Sequence, residues 1–233
     1  MAGLGHTPGV QTVEYATGRS ADVYGDPAQP QVLLWHGMQT DARAAVGPLA
    51  ELVAGHGVGV VAPDWNSHAD DGGRSDLLGS VRFAQERAAD PDGLVLVGWS
   101  MGGLAAAGLS IHASTLNIVV AHTICLAGAF MARDPISGED LGGALTTAVV
   151  GSPFTLLHGL DDDVVPPTAS RTFADELDRA GWQVELVELA TDHGAIAGAR
   201  YDSGADRYAP AHDAATLAVA GDVAARIAAV AAR

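Results

Sequence analysis

The chain contains no lysine. Its 233 residues carry 12 basic side chains, every one an arginine, against 28 acidic ones, for a formal net charge of -16. Nucleic acids and anionic membrane surfaces are gripped by clustered basic residues, so this balance argues against both as partners. The surplus of acid keeps a protein dispersed in solution. Cysteine is nearly as scarce. The one thiol, Cys125, lies in the apolar run Thr123-Ile124-Cys125-Leu126-Ala127 and has no mate for an internal disulfide, which fits a buried small hydrophobe in a reducing cytoplasm. Long hydrophobic runs are missing too. Each apolar stretch is broken within about ten residues by glycine, proline or charge, so no membrane span is expected. The opening Met1-Ala2-Gly3-Leu4-Gly5-His6 has neither a basic region nor an apolar core, so no export signal is expected and the cytoplasm is the expected location.

What is present is apolar residues, 48% of the chain, arranged in short runs. A chain of this length and content can bury a core of its own, and one domain spanning residues 1–233 is expected. Weak alternation over 12–15 and 21–24, around Thr17-Gly18-Arg19-Ser20, predicts an antiparallel hairpin at a sheet edge. Apolar strands follow at 32–35, 58–62, 94–97, 118–127, 154–157 and 184–189. Between them lie amphipathic stretches around 46–54, after a Ser75 cap, after Gly103 and through Phe173 and Leu177; a last one runs from Leu217 to Val230. Strands alternating with helices imply a mostly parallel sheet covered on both faces, whose ligand site forms at the carboxyl ends of the strands. The segment 134–150 is rich in glycine, weakly periodic and too short for a large lid, and 201–210 reads as a loop.

The organising stretch is Gly98-Trp99-Ser100-Met101-Gly102-Gly103, entered by Leu94-Val95-Leu96-Val97 and left by Leu104-Ala105-Ala106-Ala107. A G-x-S-x-G turn between strand and helix lifts the serine hydroxyl above the sheet and aims the backbone N–H of the next residue, Met101, at an oxyanion. Ser100 is therefore the candidate nucleophile. Its hydroxyl needs a base, and the base needs an acid that holds its tautomer. Downstream, His193 follows the last predicted strand, whereas His212 beside Asp213 borders the terminal helix; His193 is the better base. The acid must come from Asp161, Asp162 and Asp163. His158 reads as a half-buried structural residue, and His68 with Asp70 and Asp71 fits no common metal-ligand spacing, so no metal and no cofactor are expected.

Over nearly its whole length the chain resembles the α/β-hydrolase family. The resemblance rests on His36-Gly37 after an early strand, Pro63-Asp64 after the next, Gly98-Trp99-Ser100-Met101-Gly102-Gly103, the run His158-Gly159-x-x-Asp162-x-x-Val165-Pro166, and Asp192-His193-Gly194. It implies a Ser100, Asp162, His193 triad and a second oxyanion donor, the N–H of Met38, beside that of Met101. Some members carry the acid one strand earlier, where Asp134 stands. Dienelactone hydrolases are of similar size with little cap but have cysteine at the elbow; serine here points to an esterase. The expected reaction is hydrolysis of carboxylic esters of small to medium acyl groups through an acyl-enzyme, on a small-molecule substrate, with Trp99 and Phe130 among the residues lining the pocket. A thioesterase, a perhydrolase and a non-catalytic binder of small ligands are the alternatives, and a homodimer is left open.

Overall fold

The computed structural model describes residues 9–26, 28, 30–90, 93–145 and 149–233. Strand β1 (Gln11–Ala16) turns into β2 (Arg19–Tyr24), and the chain then crosses to β3 (Pro30–Trp35). A 3-10 turn, Arg43–Val46, leads into α1 (Gly47–Ala54); β4 (Gly59–Pro63), α2 (Arg74–Arg87), β5 (Val95–Trp99) and α3 (Met101–Ile111) follow. Then come α4 (Ala113–Leu116), β6 (His122–Leu126), α5 (Leu141–Leu145), β7 (Phe154–Gly159), α6 (Thr168–Arg179) and β8 (Val184–Leu189). A second hairpin, β9 (Ala199–Asp202) with β10 (Arg207–Pro210), precedes α7 (Ala214–Ala231).

Eight strands make one sheet in the order β1-β2-β4-β3-β5-β6-β7-β8. The pairs β1–β2 and β2–β4 are antiparallel, and every pair from β4 through β3 to β8 is parallel. After β3 the chain builds β4 on one side and β5 on the other. The carboxyl ends of β3 and β5 therefore flank the point where the winding reverses, where an open α/β sheet leaves a crevice. His36 and Ser100 sit there.

Side chains on a strand alternate between faces. On β5, Val95 and Val97 join Leu49 and Val53 of α1 and Val223 and Ile227 of α7 in one buried cluster. Leu96 of the same strand packs in a second with Leu77 and Val81 of α2 and Ala105 and Leu109 of α3. A third cluster, around Cys125, Phe154, Phe173, Leu177 and Trp182, fills the space beneath α6. Cys125 has no exposure, and burial pushes its thiol well above the ordinary range.

Four local expectations are corrected. The cap of α2 is Gly73, at φ 86°, not Ser75; the carboxylate of Asp71 reaches forward and accepts the N–H groups of Gly73 (2.9 Å) and Ser75 (2.9 Å). Strand β6 begins at His122 rather than 118, because the Ile118 N–H closes the preceding helical turn on the Ala113 carbonyl (2.9 Å). The stretch 201–210 is mostly hairpin. Finally, α7 is long and apolar enough to cross a membrane by length and composition, although its Ala220, Val223, Ala224 and Ile227 are spent on the core against α1. In the segment 134–150, α5 is a turn of five residues, and 146–148 lie outside the described residues.

The elbow depends on two missing Cβ atoms. A Cβ on Gly98 would collide with the carbonyl of Gly102, and one on Gly102 with the carbonyl of His36. Gly98→Ala should cost about 3 kcal/mol or more, since backbone on both sides must move. Gly221 lies in α7 with nothing within 4 Å of an added Cβ, and Gly221→Ala should stabilise by about 0.5–1 kcal/mol. Urea unfolding of both variants checks the contrast.

Candidate active site

Ser100 occupies the junction of β5 and α3 with φ 57° and ψ -118°, a conformation that costs a non-glycine residue on the order of 1–3 kcal/mol. Neighbouring backbone holds it there. The Ser100 N–H donates to the Leu126 carbonyl (2.8 Å), and the Ser100 carbonyl accepts from Leu104 (3.1 Å) and Ala129 (3.1 Å). The residue is half-buried, so its side chain is reachable from the crevice. Met101 opens α3, so its N–H lacks an intrahelical acceptor and is available for an anion.

The loop after β3 is drawn against the elbow: a Cβ on Gly37 would stand 3.2 Å from the Ser100 Cβ. That places Met38, the next residue, beside the serine. A fully buried imidazole sets the loop's shape. The Nδ1 of His36 meets the Gly37 carbonyl at 2.8 Å, so the proton resides on Nδ1, and Nε2 accepts the N–H groups of Ala42 and Trp65, both at 3.3 Å. The Trp65 indole N–H donates to the His36 carbonyl (3.1 Å), and the two rings stack with centroids 5.5 Å apart. Burial pushes the His36 pKa down to about 4.

Across the crevice, His193 follows β8, and Asp162 follows β7 in the turn that leads to α6. The Nδ1 of His193 meets Asp162 Oδ2 at 2.7 Å, and both side chains are essentially withdrawn from solvent. Asp162 Oδ1 accepts the N–H groups of Val164 (2.9 Å) and Val165 (2.8 Å). Burial acts to raise the Asp162 pKa, but the hydrogen bonds from His158, His193 and Val165 outweigh it and hold the carboxyl well below the usual range. It is a charged acceptor at any working pH. With Nδ1 committed to Asp162, Nε2 of His193 is the nitrogen left for an alcohol. The Asp192 carboxylate shapes the turn by accepting from Gly194 (2.9 Å) and Ala195 (2.8 Å).

Trp99 links the two halves. Its indole N–H donates to the His193 carbonyl at 2.8 Å, and its ring lies 5.4 Å from the imidazole, one residue before Ser100 in the chain. At 2% exposure it supports the histidine from the core instead of forming an open pocket wall, the role expected from the sequence. Phe130 is half-buried and stacks on Phe173 (4.1 Å); it lines a shallow groove of about 270 Å³ with Met131, Thr168 and Thr172. A larger cleft of about 520 Å³ is lined by Met38, Met101, Arg74, Arg133 and Ile136, among others.

The other candidates fall elsewhere. Asp134 is buried but spends its carboxylate on its own turn, accepting from Ile136 N–H, Ser137 N–H and the Ser137 hydroxyl. Asp161 and Asp163 are exposed. His212 is exposed ahead of α7, where Asp213 provides the cap by accepting from Thr216 (2.9 Å). Among the described residues no group of His, Cys, Asp and Glu is arranged to hold a metal. A cavity of about 510 Å³ lined by Gln31, Gly93, His122 and Arg233 opens at the amino ends of the strands, away from this crevice.

One neighbour of the site escapes a reading of the chain. Tyr208, on β10, packs its ring 5.0 Å from Trp99 and 5.8 Å from His193, and Gln39 ties that strand to the loop after β3 by accepting from the Tyr208 N–H (2.9 Å). Burial, with nearby Asp162, Asp163 and Asp192 adding to it, pushes the Tyr208 hydroxyl up to about 12. His158 is the structural residue expected beside the acidic turn, but fully buried and not half-buried.

A strained serine between strand and helix, a buried carboxylate–imidazole pair and a crevice at the winding reversal are the parts of a hydrolase on an α/β sheet. The family comparison agrees. A model of the alpha/beta hydrolase family matches residues 32–232, and the chain belongs to that family. The apo form of esterase 2 from Thermogutta terrifontis, a planctomycete, superposes with a TM-score of 0.69 at 20% identity over 97% of this chain and 98% of that one. The same esterase phosphorylated by paraoxon gives 0.68 at 20% identity, covering 97% of each chain. Its butyrate-bound form gives 0.67 at 20% identity, covering 95% of each. No match was found among curated proteins.

The buried His36 makes stability depend on pH. The unfolded imidazole takes a proton near pH 6.5, whereas the folded one resists it until about pH 4. The contribution is complete above pH 6.5 and lost as pH falls toward 4, on the order of 3 kcal/mol in all. Denaturant titrations between pH 7 and 4.5 should show this slope, reduced in His36→Gln.

Proposed function

We propose that this protein is a serine hydrolase that cleaves carboxylic esters of small to medium acyl groups through an acyl-enzyme, on a single domain spanning residues 1–233. The observation that carries the reading is the Asp162–His193 bond of 2.7 Å, fastened through Trp99 to the strained turn that presents Ser100. Nε2 of His193 removes the proton as the Ser100 oxygen attacks the ester carbonyl. The imidazolium that forms donates through Nδ1 to the Asp162 carboxylate, and the N–H groups of Met38 and Met101 hold the oxyanion. Returning the proton to the leaving alkoxide frees the alcohol and leaves the acyl group on Ser100. Water, deprotonated by the same imidazole, then releases the acid.

Support comes from the fold's company: the similar Thermogutta terrifontis protein is named an esterase, is phosphorylated by paraoxon, and has a butyrate-bound form. The Met38 and Met101 cleft suits an acyl or alcohol group of modest size.

Ser100→Ala should lower turnover of p-nitrophenyl acetate and butyrate by about 10³-fold or more with its unfolding midpoint intact, because the three groups act as a unit. Paraoxon should inactivate the native protein stoichiometrically and leave Ser100→Ala unlabelled. A native protein that is neither labelled nor able to turn over these esters would mark a non-catalytic binder. Asp162→Asn should lose activity by a similar factor, about 10³–10⁴-fold, while Asp161→Asn and Asp163→Asn stay within about threefold. A large loss at 161 or 163 would reassign the acid.

A further inference from the structure

The Asp162 carboxylate has more than one imidazole on it. His158, the last residue but one of β7, is fully buried, and its Nε2 lies 3.3 Å from Asp162 Oδ2, the oxygen that His193 engages at 2.7 Å. The same Nε2 is 2.9 Å from the Val165 carbonyl. A carbonyl can only accept, which assigns the proton to Nε2 and makes it a donor shared between Val165 and Asp162. On the other side of the ring, the hydroxyl of buried Ser170 in α6 stands 2.7 Å from Nδ1, and donates to it. Ser170 thus completes the tautomer that aims an N–H at the acid.

We infer that His158, held in one tautomer by Val165 and steadied by Ser170, is a positioning residue for the reaction, fixing the plane of the Asp162 carboxylate so that Oδ2 stays on His193 Nδ1. The accounting of donors requires such a part. Oδ1 takes two N–H groups, from Val164 and Val165, both from one short turn. Oδ2 takes His193, the group that must keep its orientation while its charge changes. Without a second donor on Oδ2, the carboxylate is held only by that turn and by His193 itself, and any movement of the turn passes to the 2.7 Å bond. His158 sits on β7, inside the parallel sheet, and Ser170 on α6, so the restraint comes from rigid elements and not from the turn. Displacements of about 1 Å in such a constellation cost on the order of 10²-fold in rate.

The inference rests on Ser100, Asp162 and His193 forming the catalytic set, and the measurements separate the two. His158→Leu keeps a buried apolar volume and loses the donor; its kcat on p-nitrophenyl butyrate should fall about 30-fold with KM within twofold of native. His158→Gln, whose amide can donate in the same place, should recover most of that loss. Ser170→Ala leaves the imidazole packed, with the Val165 carbonyl still on Nε2, but removes the hydrogen bond that steadies the ring through Nδ1, and should lower kcat about three- to tenfold. In the native protein and His158→Gln, the proton NMR spectrum should show the strongly downfield N–H of His193, which should move upfield in His158→Leu. If His158→Leu fails to fold, Ser170→Ala and the Gln variant decide alone. Native kcat in Ser170→Ala together with an unmoved downfield resonance would overturn the inference while leaving the proposed reaction in place. Full activity in Ser100→Ala would overturn both.

Discussion

The structure turns on the contact of three backbone segments at the carboxyl ends of β3 and β5. Gly98, Gly102 and the His36 carbonyl approach so closely that no side chain fits between them, and the chain reverses from strand to helix within one residue. Ser100 takes the strain of that reversal in its positive φ. The surrounding hydrogen bonds to Leu126, Leu104 and Ala129 keep it from relaxing. Because α3 starts at once after the serine, the N–H of Met101 has no acceptor within the helix and stands next to Ser100 in the chain.

Around that contact the protein arranges rigid supports for groups whose charge must not wander. Two buried histidines outside the proposed triad each use both ring nitrogens: His36 shapes the segment that brings Met38 to the serine, and His158 ties the turn that carries Asp162 to α6. Trp99 uses its indole N–H to anchor the His193 backbone. None of these three side chains needs to touch substrate, and all are buried. A protein with net charge -16 also lines one surface pocket beside His193 with Asp161, Asp163 and Asp192.

Legibility in the chain followed the range of the forces involved. The elbow was readable because its requirement is local: a serine flanked by glycines, an apolar run before and small residues after. The parallel sheet was readable because its buried strands are continuous apolar runs, Val32 to Trp35 and Val95 to Val97 among them. The edges were less so. The cap of α2 was misplaced because the Asp71 side chain, not Ser75, supplies the acceptor. The hairpin β9–β10 passed for a loop because its residues face solvent and alternate little. Trp99 read as a pocket residue from its place in the motif, and only packing turns its ring under His193.

By itself the sequence determined what each short stretch can do: which serine is forced upright, which runs must be buried, and that a histidine and an aspartate stand after late strands. Those are consequences of local sterics and of hydrophobic content, and both are written within a few residues. The residues taken singly left three adjacent aspartates open, and only the family pattern pointed to Asp162; the tertiary structure shows Asp162 meeting His193, and it alone decided that a second imidazole shares that carboxylate and that Tyr208 packs on Trp99 and His193. Choices of that kind depend on side-chain direction across residues far apart in the chain, and such directions exist only once the sheet has set its strands in register.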